Sequence, residues 1–121
     1  MEDEMTREVP AELQIFMNHI YELKKGVRYM ALLTMGCQYR DFAVRRLENN
    51  GISYLVQEVS ERKINLFFGK AECMDVIRRI VIRPLNMLSA EEDFIIGAML
   101  GYDICQQCVR FCDRKPSAET A

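Results

Sequence analysis

The chain has 121 residues, 50% hydrophobic and 28% charged, which suits a single domain over 1–121 with an ordinary core and excludes a large multi-domain enzyme. Sixteen Lys and Arg against eighteen Asp and Glu leave a formal charge of -2, too balanced to hold nucleic acid or anionic lipid by counterion release. No apolar run approaches the roughly twenty residues of a membrane span. Met1-Glu2-Asp3-Glu4-Met5 is acidic where a signal peptide is basic, so the expected compartment is the cytoplasm.

Pro10 suits a first helical turn, and Leu13, Phe16, Met17 and Ile20 follow at the spacing of one apolar helix stripe, which Gly26 should end. From Val27 to Thr34 both alternating sets of positions are mostly apolar, which predicts an interior strand covered on both faces or by a partner. Tyr39, Phe42, Ala43 and Leu47 mark a second helix that stops at Asn49-Asn50-Gly51. Ile52, Tyr54 and Val56, then Ile64, Leu66 and Phe68, flank the polar Ser60-Glu61-Arg62-Lys63 as a hairpin.

A third helix carrying Cys73, Ile77 and Ile80 should reach the residues just before Pro84. Ser89-Ala90-Glu91-Glu92 has the spacing of a capping box. The helix it opens should run through Phe94, Ile95 and Ala98 and beyond Gly101, and the pattern leaves open whether Tyr102 to Arg114 continues it or forms another. The ends, 1–9 and 115–121, are expected to be flexible.

This order is α+β: a three-stranded sheet with a β-α-β-β-α core resembling a truncated ferredoxin-like sandwich, plus an N-terminal helix and C-terminal helices in place of the last strand. In such a sheet the Val27–Thr34 strand lacks its outer neighbour, and an apolar edge strand invites pairing with another chain. A homodimer is expected, or coverage by a terminal helix.

The sharpest local pattern is Cys105-x2-Cys108-x3-Cys112, which sets three thiols on one helix face as candidate metal ligands, with Cys37, Cys73 or His19 available as a fourth. The opposing consideration is that cysteine also packs as a small hydrophobe. His19, the only histidine, and Cys37, near a predicted helix start that would lower a thiol pKa, form a candidate catalytic pair. The basic groups Lys24-Lys25-Arg28 and Arg78-Arg79-Arg83 would steer an acidic partner if they shared a surface. Gly97-x3-Gly101 leaves a flat strip that suits a dimer interface or close packing within the chain. No G-x-G-x-x-G, Walker A or H-E-x-x-H pattern is present, and no cofactor is expected.

The segments His19-Ile20-Tyr21-Glu22-Leu23-Lys24-Lys25-Gly26-Val27-Arg28, Ile64-Asn65-Leu66-Phe67-Phe68-Gly69, Glu91-Glu92-Asp93-Phe94-Ile95-Ile96-Gly97 and Leu100-Gly101-Tyr102-Asp103, followed by Gln107-Cys108, resemble a small bacterial family catalogued as domain of unknown function twenty-twenty-three. The resemblance covers nearly the whole chain. It implies an α+β homodimer and, because members are often encoded near a flavodoxin, an acidic flavoprotein partner, but no established activity. Only Cys108 of the thiol trio matches the family pattern.

His19, Tyr21, Lys24, Lys25, Asn65, Tyr102 and Asp103 fall within the resembling segments and form a candidate polar site. The expected function is a homodimeric accessory or interaction module, not an enzyme, serving an electron-transfer flavoprotein. The alternative is a thiol- or metal-dependent redox protein built on Cys105, Cys108 and Cys112, and a small enzyme using His19 and Cys37 comes third.

Overall fold

The computed structural model describes residues 9–117. Its elements are α1 (Ala11–Lys25), β1 (Met30–Gly36), a 3₁₀ turn (Cys37–Tyr39), α2 (Arg40–Asn49), β2 (Ser53–Glu58), β3 (Lys63–Gly69), α3 (Ala71–Ile80), a 3₁₀ turn (Leu85–Met87), α4 (Ala90–Met99) and α5 (Ile104–Arg114). The fold is α+β, with one antiparallel sheet in the order β1-β3-β2. β1 and β2 therefore run parallel to each other on either side of β3, as expected for a ferredoxin-like sheet without its fourth strand.

A two-layer sandwich keeps its helices on one face of the sheet; here they divide between both. Ala31, Met35, Ile64, Leu66 and Phe68 bury one face against Leu13, Phe16 and Ile20 of α1 and Ala43 and Leu47 of α2. Met30 and Phe67 bury the other against Met74 and Ile77 of α3 and Ile96 and Leu100 of α4. The cause lies in β3, where every residue from Ile64 to Phe68 is buried: Ile64, Leu66 and Phe68 on one face and Phe67 on the other need cover on both sides, and Asn65 is the one polar residue among them. Phe16 meets Phe68 edge to face at 5.3 Å, and each fully buried side chain of this size stabilises the fold by about 2 kcal/mol.

Three boundaries differ from the sequence expectation. β1 starts at Met30 and extends to Gly36, because Val27 is committed to the end of α1: its amide bonds the Glu22 carbonyl at 3.0 Å while Gly26 turns left-handed at φ 77. Gly101 lies outside α4 for the same reason. It takes φ 82, and the bonds from Gly101 to Ala98 and from Tyr102 to Gly97, both 3.1 Å, close the helix. α3 ends at Ile80, well before Pro84, and the turn that follows buries Val81 against α3 and α4.

The capping box forms in full, with Glu92 N donating to Ser89 Oγ at 3.1 Å and Ser89 N to the Glu92 carboxylate at 2.9 Å. Asp103 starts α5 as a separate helix by accepting from the Gln106 amide at 2.9 Å. Residues 1–8 and 118–121, most of the two ends expected to be flexible, lie outside the described residues. Val9 packs against the core and Lys115 pairs with Glu91.

Candidate interaction site

β1 is an edge strand whose outer side is open. Tyr29 O accepts from Lys70 N at 3.0 Å and Cys37 N donates to Arg62 O at 2.8 Å, so in this register the odd-numbered residues turn their backbone groups toward β3. The even-numbered ones, Met30, Leu32, Thr34 and Gly36, turn theirs outward. The Gly36 amide donates to Glu12 of α1 at 2.9 Å. Among the described residues, nothing hydrogen-bonds the outward amides and carbonyls of Met30, Leu32 and Thr34.

The second edge, β2, is guarded differently. Arg78 donates to the Tyr54 carbonyl at 3.3 Å, and Glu58 puts a charge on the strand itself. Edge charges of this kind discourage pairing. β1 carries no charged residue and no proline from Met30 to Gly36.

Beside this edge, on the α3–α4 face, lies a cleft of about 360 Å³. Leu32 forms part of its floor with Ile96 and Leu100, Leu85 and Leu88 close one side, and Gln107 and Arg110 of α5 close the other. Asp93 fixes that wall: it accepts from Arg110 at 2.6 and 3.1 Å and lies 3.5 Å from Arg114. The Arg110 hydrogen bond, ahead of its charge, holds the Asp93 carboxyl below its ordinary range and raises the arginine in turn.

The next row of the sheet on the same face is polar. Thr34 donates to Asn65 at 2.6 Å and Asn65 to Gln57 at 3.0 Å, a ladder that crosses all three strands. Gln57 continues it to the Arg83 carbonyl at 2.9 Å. Asn65, 6% exposed, is thus the satisfied polar centre of the sheet.

The candidate polar residues are not gathered into one site. His19, Tyr21, Lys24 and Lys25 belong to α1 on one side of the sheet, whereas Asn65 faces the other side and Tyr102 lines the cleft there. His19 Nδ1 lies 3.0 Å from Glu22, which also receives Arg28 at 3.1 Å. These contacts, His19 first, lower the Glu22 carboxyl from its ordinary value. Asp103 is occupied as a helix cap.

His19 and Cys37 do not pair: the Cys37 thiol donates instead to the Glu61 carbonyl at 3.3 Å. Cys105, Cys108 and Cys112 are all exposed on α5. Among the described residues, no three His, Cys, Asp or Glu side chains converge as a metal centre. A straight helix spreads its sulfurs along its side instead of wrapping them round an ion.

The two basic groups also separate. Lys24, Lys25 and Arg28 accompany α1, while Arg78 and Arg79 lie on α3 across the sheet with Arg83 beyond it, and Arg28, Arg78 and Arg83 are paired with Glu22, Asp75 and Glu92.

Gly97 and Gly101, whose spacing suits a dimer interface or packing within the chain, each have a role inside the chain. Gly97 is buried, and a Cβ there would overlap the Gln107 carboxamide of α5. Gly101 supplies the left-handed end of α4.

The sequence gives no site role to Leu32, Thr34, Glu12 or Arg110. For the first two the uncharged stretch Met30–Gly36 was a usable signal. The partners of Glu12 and Arg110 are 24 and 17 residues away, and no local pattern reveals them.

A family model described as "Protein of unknown function (DUF2023)" matches residues 14–114. No curated protein matches the chain.

Proposed function

The chain belongs to the DUF2023 family, whose description assigns no activity, and we propose from its own geometry that it is a homodimeric interaction module assembled through the open edge of β1. The observation that carries this is the set of unpaired backbone groups at Met30, Leu32 and Thr34. These three residues are symmetric about Leu32. An antiparallel second copy with its two-fold axis there pairs Leu32 with Leu32 and Met30 with Thr34, so each outward amide meets an outward carbonyl. The product is one continuous six-stranded sheet. Ala31 and Leu33, on the opposite face from Leu32, meet their counterparts across the same axis, and the apolar character of the strand favours their contact.

The test is the solution mass of the full chain, by light scattering or sedimentation, for the wild type and for Leu32→Pro. Proline removes an amide that β3 does not use, so β1–β3 pairing survives while the outer edge loses its central donor. The expected result is a dimeric wild type and a folded, monomeric variant by circular dichroism. Leu32→Lys, which sets two ammonium groups against each other at the axis, should act likewise. A monomeric wild type, or a Leu32→Pro protein that stays dimeric, rejects the proposal.

A further inference from the structure

We propose that the end of the molecule where α1 and α2 finish and α3 begins is a binding site for a small phosphate-bearing anion, centred on Lys24. Two depressions share this lysine. One, of about 210 Å³, is lined by Lys24, Gly51, Ser53, Gly69 and Lys70 among others. The second, of about 360 Å³, lies between α1 and α2 and is lined by Tyr21, Lys24, Arg46 and Asn50 with two apolar residues. Three cations from three separate elements line the pair of depressions, and no carboxylate does.

Six cations elsewhere are matched, Arg28, Arg78, Arg83, Arg110, Arg114 and Lys115 each pairing with an Asp or Glu, while other described cations, Arg79 among them, are exposed without such a partner and line neither depression. Among the described residues, Lys24, Arg46 and Lys70 have no carboxylate partner. Arg46 reaches the Met17 sulfur at 3.1 Å and the Phe42 ring, and the Lys70 ammonium lies over the Tyr29 ring at 5.5 Å. Those contacts orient the cations without neutralising them. Two like charges at each of two adjoining depressions raise the local potential in a chain that is acidic overall, and an anion that enters relieves their repulsion.

The lining also fits a compact anion. Gly51 and Gly69 contribute no side chain, and the space beside Gly51 is open to 4 Å. Ser53 adds a hydroxyl donor. Phosphate suits this set because its several acceptor oxygens can meet the two cations of either depression together, Lys24 with Lys70 or Lys24 with Arg46, whereas a single carboxylate offers fewer acceptors. With two depressions sharing one lysine, a ligand with two linked phosphates should bind better than one.

The experiment titrates pyrophosphate into the full ¹⁵N-labelled chain, with chloride matched for ionic strength, and measures affinity by calorimetry. Saturable shifts at the Gly51, Ser53 and Lys70 amides are expected. Lys24→Gln and Lys70→Gln, both at exposed positions, should each weaken binding by about tenfold while the spectrum stays folded. Arg79→Gln, an exposed cation outside the depressions, should leave it unchanged. Shifts scattered over every basic residue, unaltered affinity in Lys24→Gln, or binding of a polyglutamate peptide but not pyrophosphate would each overturn the proposal.

Discussion

The Glu12 carboxylate on α1 accepts a hydrogen bond from the Gly36 amide at 2.9 Å, and this contact ends the open edge of β1 after Thr34. It joins α1 to the far end of β1. Glu12→Ala should cost about 1.5–3 kcal/mol in urea unfolding, the range for a hydrogen bond to a charged group. The dimer should survive, since Met30, Leu32 and Thr34 keep their outward groups.

α5 has no buried residue and is held at its margins. Phe111 meets Phe94 edge to face at 5.8 Å, Arg114 donates to the Leu88 carbonyl at 2.7 Å, and Asp93 grips Arg110. Asp93→Asn should therefore raise amide hydrogen exchange across α5 at least about tenfold while the β3 amides stay protected.

The same carboxylate sets a pH response. Arg110 lowers Asp93 from its ordinary value of 3.8, and a group depressed in the folded state contributes stability that is complete above its unfolded pKa and is lost as pH falls through the folded one. Docking of α5 should loosen as pH falls below about 4. The Asp93→Asn protein should lack that part of the acid response, as exchange measured at several acidic pH values will show.

Gly97→Leu forces a side chain into the place of the Gln107 carboxamide. The Gln107 carboxamide, the end of a flexible side chain, must swing aside, and the expected outcome is destabilisation by about 1–3 kcal/mol from the remaining overpacking against α5. Loss of the dimer with an unchanged melting temperature would show instead that Gly97 serves an interface.

Asn65→Leu should cost about 1–2 kcal/mol by orphaning Thr34 and Gln57 on either side. Adding Thr34→Val should cost less than the two separate losses together, because the second change removes a group already left unpaired. Thermal melts of the two single variants and the double variant give the coupling.

Four cysteines are exposed and Cys73 is half-buried. Native protein should release four equivalents of chromophore quickly with a disulfide reagent and the fifth only on unfolding. Fewer than four fast thiols after mild oxidation, restored by reductant, would favour the thiol-based redox alternative for Cys105, Cys108 and Cys112.

The sequence by itself determined the local elements. The turn at Gly26, the hairpin around Ser60–Lys63 and the capping box at Ser89–Glu92 each rest on residues within one or two turns of each other. The α+β order follows from them, as does the weakness of the first strand as an edge, because period and turn chemistry are local properties. Part of the two-sided burial of β3 is also local, since Phe67 stands between Leu66 and Phe68 and puts an apolar side chain on the opposite face.

Only the tertiary structure decided which residues meet. It gave the helices to both faces, separated His19 and the α1 lysines from Asn65 and Tyr102, and showed a packing contact at Gly97 and a helix end at Gly101 within the chain. It also showed which backbone groups of β1 point outward, since that depends on the register against β3, 31 residues away at the Thr34–Asn65 pair. Hydrogen bonds between distant residues leave no periodic trace in the chain, so the open edge at Leu32 and the basic depressions around Lys24 become visible only once the layers are packed.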